Sequence, residues 1–228
     1  MALQLDAVVP FGRSLAEYQG MFRLTEEDLR RRILGVADGP ASFNASMAAR
    51  GSPVVSLDPL YVLPAERILE RFHAVVDGVI EQVKATPEDW VWSWHGSPER
   101  LRAHRTDVLQ RFVADYEQGR VEGRYLVGEL PALPFEDRRF DLALCSHFLF
   151  LYSDHFTYEF HRASALEMLR VATEVRIFPL LTLALKRSPY LQPLIDDITA
   201  AGFVAGVEPV SYELQRGGNE MLRLCRPA

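Results

Sequence analysis

Only two cysteines occur in the 228 residues, so no disulfide framework holds this chain together. Cys145 and Cys225 both fall in predicted strands and read as small buried hydrophobes in a reducing compartment. No stretch approaches the ~20 uninterrupted apolar residues of a membrane span. The opening residues, MALQLDAVVPFGRSL, lack the basic and apolar regions of a signal peptide. The expected location is therefore the cytoplasm, with no membrane partner. Excess positive charge is missing as well. The net charge of −6 speaks against a nucleic-acid backbone as the main partner, although it leaves room for a local basic groove. Neither a repeat nor a low-complexity tract is present. Nothing in the sequence sets the oligomeric state.

What remains is an ordinary globular composition, 48% apolar, in a chain long enough for one sizeable core. The reading is one domain over residues 1–228 with a helical insertion at about 63–118. Strands are expected at about 31–36, 53–57, 124–128, 140–145 and 172–180. They alternate with helices at 40–50, 155–170 and 190–201, the pattern of a mostly parallel α/β sheet. Residues 203–214 and 220–225 read as two more strands joined by the Gly217-Gly218 turn, a hairpin signal. Before the first strand, Thr25 is placed to cap a helix opening at Glu26.

The most informative stretch is RRILGVADGPASFNASMAAR, residues 31–50. A strand end is followed by the small, bendable Gly35-Val36-Ala37-Asp38-Gly39, and Pro40 sits where a helix would begin. Amides at such a turn point at whatever lies above it. About 20 residues on, Asp58-Pro59 ends the next strand, where a carboxylate reaches a ribose hydroxyl pair. The pattern is that of a nucleoside grip. The dinucleotide spacing G-x-G-x-x-G is absent: the matching positions are Gly35, Ala37 and Pro40.

The run Ala37-Asp38-Gly39-Pro40-Ala41-Ser42-Phe43 instead resembles motif I of class I S-adenosylmethionine-dependent methyltransferases, in its G-x-G-P-x-S-F variant. A second block, RYLVGELPALPFEDRRFDLALCSHFLFLY around Glu129, is similar to the family stretch G-D-A-x-x-L-P-F-x-D-x-x-F-D-L-V. The resemblance covers about residues 18 to 226, interrupted by one insertion. It implies a seven-stranded Rossmann-like sheet whose last strand is inserted beside the fifth to give an antiparallel hairpin. It also implies S-adenosylmethionine as cofactor, with Glu129 and Leu130 at the adenine. There are departures. The acid that opens motif I is Gly35 here, and two usual glycines are Ala37 and Ala41. Asp38 is the candidate replacement for the missing acid.

For chemistry, the D/N-P-P-Y signature of amide methylases is missing, and the fourth strand ends Ser146-His147-Phe148. Ser146 and His147 lie where a side chain faces the cofactor's sulfonium end. His147 reads either as a general base or as a contact and packing residue. The insertion carries Trp90, Trp92, Trp94 and His95, which read either as an aromatic wall for a small-molecule acceptor or as packing of the inserted helices. Arg100, Arg102, Arg105 and Arg111 read as a solvated helix face or an anion dock. No metal site is expected from Asp154, His155 and His161. Two functions stay open: methyl transfer to a small molecule, and non-catalytic binding of the cofactor or its demethylated product by a regulatory or scaffold protein. A dinucleotide oxidoreductase is opposed by Pro40 and the terminal hairpin.

Overall fold

The computed structural model describes residues 9–227. The N-terminal reading against a signal peptide concerns residues that lie mostly outside that range. Seven strands form one sheet: β1 (Ile33–Val36), β2 (Val55–Leu57), β3 (Tyr125–Leu126), β4 (Phe140–Ser146), β5 (Ala172–Phe178), β6 (Val204–Pro209) and β7 (Glu220–Cys225). Their order is β3-β2-β1-β4-β5-β7-β6. The first five pair in parallel, and β7 runs antiparallel to both neighbours, between β5 and β6. This is the strand arrangement that the methyltransferase resemblance implies.

Alternation along β4 shows how the sequence makes two cores. Leu142 and Leu144 join the cluster beneath helices α1 (Leu15–Phe22), α2 (Phe43–Ala49), α3 (Ala65–Ala85) and α4 (Pro98–Val121). Ala143 and Cys145 face the other cluster, under α5 (Tyr158–Val171) and α6 (Leu191–Ala200). Successive side chains leave a strand on opposite faces, so a fully apolar strand must be covered on both sides. The two cysteines are free. Among the described residues no helix is long and apolar enough to cross a membrane.

Several sequence boundaries shift. Helix α2 begins at Phe43 rather than Pro40, and it is only seven residues long. Pro40 is held outside it because Gly12 packs directly on the Pro40 carbonyl, where an added Cβ would fall 1.9 Å away. Ser14 caps α1 through a reciprocal capping box with Glu17. No helix opens at Glu26: only a 3₁₀ turn forms, Asp28–Arg30, whose N-cap is Glu27, while the Thr25 hydroxyl accepts from the Asp28 amide at 3.1 Å. The terminal hairpin is not tight: β6 stops at Pro209, and residues 210–219 arc away before β7. The arc exists because Tyr212 and Leu214 are drawn into the core beneath α1.

The insertion between β2 and β3 is helical, as expected. In α3, Ile68, Phe72, Val76, Val79, Ile80 and Val83 are buried at helical spacing. In α4, Ser97 caps and Pro98 occupies the first turn. Its inward stripe runs through Leu101, Arg105, Val108, Leu109, Phe112 and Tyr116. Both helices cover the same face of the sheet as α1 and α2.

Candidate functional site

Parallel strands all present their carboxyl ends to one edge of the sheet, and the connections leave in opposite directions where the order reverses, here between β1 and β4. A cavity of about 680 Å³ opens at that edge. Crossing the sheet, it is lined by Gly128, Glu129 and Leu130 after β3, then Asp58, Pro59 and Leu60 after β2. Ala37, Asp38 and Gly39 follow after β1, then Ser146, His147 and Phe148 after β4. At ~4.8 Å per strand these four sites span about 14 Å.

The carboxylates there are tied down. Asp58 accepts from the Leu60 amide at 2.7 Å and from the Gly39 amide at 2.8 Å. The Gly39 N–H expected to point at a bound anion is therefore turned onto a protein carboxylate. Burial holds the Asp58 pKa above the usual range, against those two amides. Asp38 is deeper, 6% exposed. It accepts from the Tyr18 and Ser56 hydroxyls, and burial pushes its pKa to about 6, helped by the nearby Asp58 charge. Its carboxyl group folds back over the end of β1, where a Cβ at Gly35 would fall 2.2 Å from it. Gly35 has no room for a side chain, because the Asp38 carboxylate lies on it.

At the β4 end, His147 adopts a left-handed backbone, φ 53°, which turns its side chain out of the strand line. Its Nδ1 lies 2.9 Å from Ser146 Oγ, and its amide donates to the Phe178 carbonyl at 2.6 Å. Nε2 has no hydrogen-bond partner among the described residues. Burial and then the charges of Arg13 and Arg105 hold the His147 pKa well below the usual histidine value. The ring is neutral near pH 7.

The remaining walls come from outside the sheet. Residues 9–13 form a strap across the mouth: the Ser42 amide donates to the Arg13 carbonyl, the Val9 amide to the Tyr152 hydroxyl at 3.2 Å, and Phe11 meets the Phe72 ring of α3. Phe148, Phe156 and Phe160 form an apolar ledge, with Phe156 stacked on Phe160 at 4.4 Å. Arg13, Arg71 and Arg105 also line the cavity.

Not every expected residue reaches it. Gly35 lies beneath Asp38, and Pro40 is covered by Gly12. Trp90 does line the cavity, with its indole N–H donating to Thr86 Oγ1 at 3.0 Å. Trp92 packs on the core, and Trp94 packs on Gly20 and Tyr212. The three tryptophans therefore part company because the segment turns after Trp92 instead of continuing as a strand. His95 is buried behind the wall, its Nε2 3.1 Å from the Tyr212 hydroxyl.

A buried cluster around Glu17 was not foreseen. Glu17 is fully buried and accepts from Arg105 Nη1 at 3.0 Å and from the Tyr212 hydroxyl at 3.1 Å. The Arg105 Nη2 lies 2.8 Å from its other oxygen, and His104 Nε2 is 3.0 Å away. Burial alone would raise the Glu17 pKa; Arg105, His104 and His95 outweigh it and hold it well below the usual range. Glu17, His95 and His104 have metal-like spacing. The donor set does not fit an ion, because Arg105 already brings a positive charge to both carboxylate oxygens. Arg105 is thus no solvated helix residue. It falls on the apolar stripe of α4, four positions from Leu101 and four from Leu109, and that register was the available signal.

The comparisons with known proteins can be set on this geometry. No protein-family model matches the sequence. Over 225 residues the chain is 32% identical to the uncharacterized protein MJ0045 of Methanocaldococcus jannaschii, covering 98% of this chain and 99% of that one. The chain belongs to the MJ0045 family. Among solved structures, it is similar to magnesium protoporphyrin IX methyltransferase from Synechocystis PCC 6803 with bound S-adenosylmethionine. That likeness has 12% identity and a TM-score of 0.46, over 89% of this chain and 73% of that one. It is also similar to a methyltransferase of Thermotoga maritima described as a possible histamine N-methyltransferase, with 14% identity and a TM-score of 0.45, over 93% and 89%.

Proposed function

We propose that this MJ0045-family protein transfers a methyl group from S-adenosylmethionine to a small-molecule acceptor. The observation that carries the reading is the order of side chains along the cavity. Glu129 with Leu130, Asp58, Asp38 and His147 follow one another across β3, β2, β1 and β4. The two motifs that resemble methyltransferase sequence are thereby brought to one edge.

The residues fit the cofactor. Glu129 and the Leu130 amide suit an adenine edge, an acceptor beside a donor. Asp58 suits the ribose hydroxyls, since each of its oxygens keeps a lone pair after its backbone bond. Asp38 is a buried carboxylate with no cationic partner among the described residues, and its raised pKa marks a site that a ligand ammonium group relieves. Nothing lies within 4 Å of a Cβ built on Gly39, which leaves that side of the loop open.

Bound there, S-adenosylmethionine supplies an electrophilic methyl carried on a sulfonium. The chain's own task is chiefly alignment and exclusion of water. The strap and the aromatic ledge exclude water. Where the acceptor atom carries a proton, His147 Nε2 takes it. The ring arrives neutral and so has a lone pair to use, and Ser146 Oγ at Nδ1 fixes its orientation.

Calorimetry with S-adenosylmethionine, S-adenosylhomocysteine and NAD tests the cofactor assignment. Either sulfur ligand should bind at least tenfold more tightly than NAD, and equal binding of NAD overturns the reading. His147→Ala then separates enzyme from scaffold. With an acceptor found by labelled transfer into a metabolite extract, turnover should fall by ~10²–10⁴ while cofactor affinity holds.

A further inference from the structure

Two buried arginines of the cavity wall carry more positive charge than the carboxylate beside them neutralises. Arg105 is 1% exposed and Arg13 9% exposed, and both line it. One carboxylate serves them both. Glu17 is taken up by Arg105, and Arg13 approaches it only to 3.9 Å. Arg13 Nη1 donates to the carbonyls of Phe11 and Gly12, while Arg13 Nε and Arg105 Nη2 have no hydrogen bond of acceptable geometry. His95 and His147 do not add to the sum, since burial holds both below the ordinary histidine pKa. Two buried guanidiniums against one carboxylate leave about one unit of uncompensated charge. Burial and the Arg105 charge accordingly lower the Arg13 pKa to about 10. An unpaired buried cation is expensive to maintain, and an incoming anion removes the cost.

We propose that Arg13 and Arg105 form an anion subsite at the His147 end of the cavity, and that it docks a carboxylate carried by the methyl acceptor. A planar carboxylate matches a guanidinium edge with two parallel hydrogen bonds. Beside it, Phe148, Phe156 and Phe160 offer an apolar surface. The acceptor class is therefore an apolar or aromatic molecule bearing one carboxylate. The acidic side chains Asp38, Asp58 and Glu129, which would repel such a ligand, line the cavity after β1, β2 and β3. The proposal rests on the methyl-transfer reading for the ligand's role as acceptor; the subsite itself rests on the two arginines.

Benzoate and its neutral isostere benzamide are the probes, titrated by calorimetry into protein saturated with S-adenosylhomocysteine. Benzoate should bind at least tenfold more tightly than benzamide. Arg13→Gln should remove that preference, with Arg13→Lys retaining part of it, and unfolding curves show that both variants fold. Benzoate binding no tighter than benzamide overturns the subsite. The cofactor also has a carboxylate, so S-adenosylhomocysteine and 5′-methylthioadenosine, which lacks one, are titrated into both forms. If Arg13→Gln weakens only the former, the anion belongs to the cofactor and the acceptor assignment falls. If S-adenosylhomocysteine does not bind the unaltered protein, the methyl-transfer reading fails by itself. Benzoate titrated into the ligand-free protein then decides the subsite separately.

Discussion

Asp38 shows how one side chain adjusts a degenerate motif. The sequence has glycine where the family stretch has an acid, and the backbone turn lays the Asp38 carboxylate over that glycine. That carboxylate titrates near 6, displaced upward by burial and by Asp58. A cationic ligand group favours ionised Asp38, so binding releases a proton when the free protein is partly protonated. Affinity for S-adenosylmethionine should therefore rise with pH up to about 6 and level off above 7, and Asp38→Asn should abolish the slope. Isothermal titration at pH 5, 6, 7 and 8 measures it; a flat profile in the unaltered protein detaches Asp38 from the ligand's ammonium. The same acid affects the empty protein in the opposite sense. Because its folded pKa exceeds the unfolded value, its contribution to stability falls as pH rises from about 4 through about 6.

At the scale of elements, the insertion does two jobs with adjacent residues. Trp90 is buried, bonded to Thr86, and opens onto the cavity, whereas Trp94 is 39% exposed against Tyr212. Period two suggested one wall, but the wall ends where the segment turns. Trp90→Ala should cost about 3–5 kcal/mol in denaturant unfolding, the range for truncating a buried aromatic. Trp94→Ala should cost about 1 kcal/mol or less. Equal costs for the two contradict this division. The strands and the inserted helices were legible because their signals are local: apolar runs for β4 and β5, helical spacing for α3. The short α2 was legible only in outline, since the contact that holds Pro40 out of the helix comes from Gly12.

Across the whole molecule, the Glu17 cluster ties together parts that the sequence keeps far apart. Glu17 lies on α1, Arg105 on α4, and Tyr212 in the arc between β6 and β7. None of these three announces the others, because each partner is set by tertiary packing and not by spacing. The strand-end residues that line the cavity were legible, since they fall in recognisable stretches. Of the arginine side, Arg105 was offered only within a set of four arginines read as a solvated face or an anion dock, and Arg13, in irregular chain, gave no signal. Removing the shared carboxylate should be felt globally. Glu17→Gln strands Arg105 in the interior and should destabilise the fold by about 3–5 kcal/mol at pH 7. Since Glu17 has a depressed folded pKa, its contribution is complete above the ordinary carboxylate range and is lost as pH falls well below it. The deficit of the variant should therefore shrink toward acid pH in urea titrations, and a constant deficit would argue that Glu17 is not ionised in the fold.

The strap has a consequence for timing. Its hydrogen bonds to other parts of the chain go to Ser42 and to Tyr152, and its main ring contact goes to Phe72; none of these belongs to a strand. Lifting residues 9–13 therefore exposes the cavity without disturbing the sheet. Openings of that kind need far less free energy than global unfolding. Traffic through the mouth and the lifetime of the fold are then set by separate barriers. Access to the cavity can then change while the sheet stays intact.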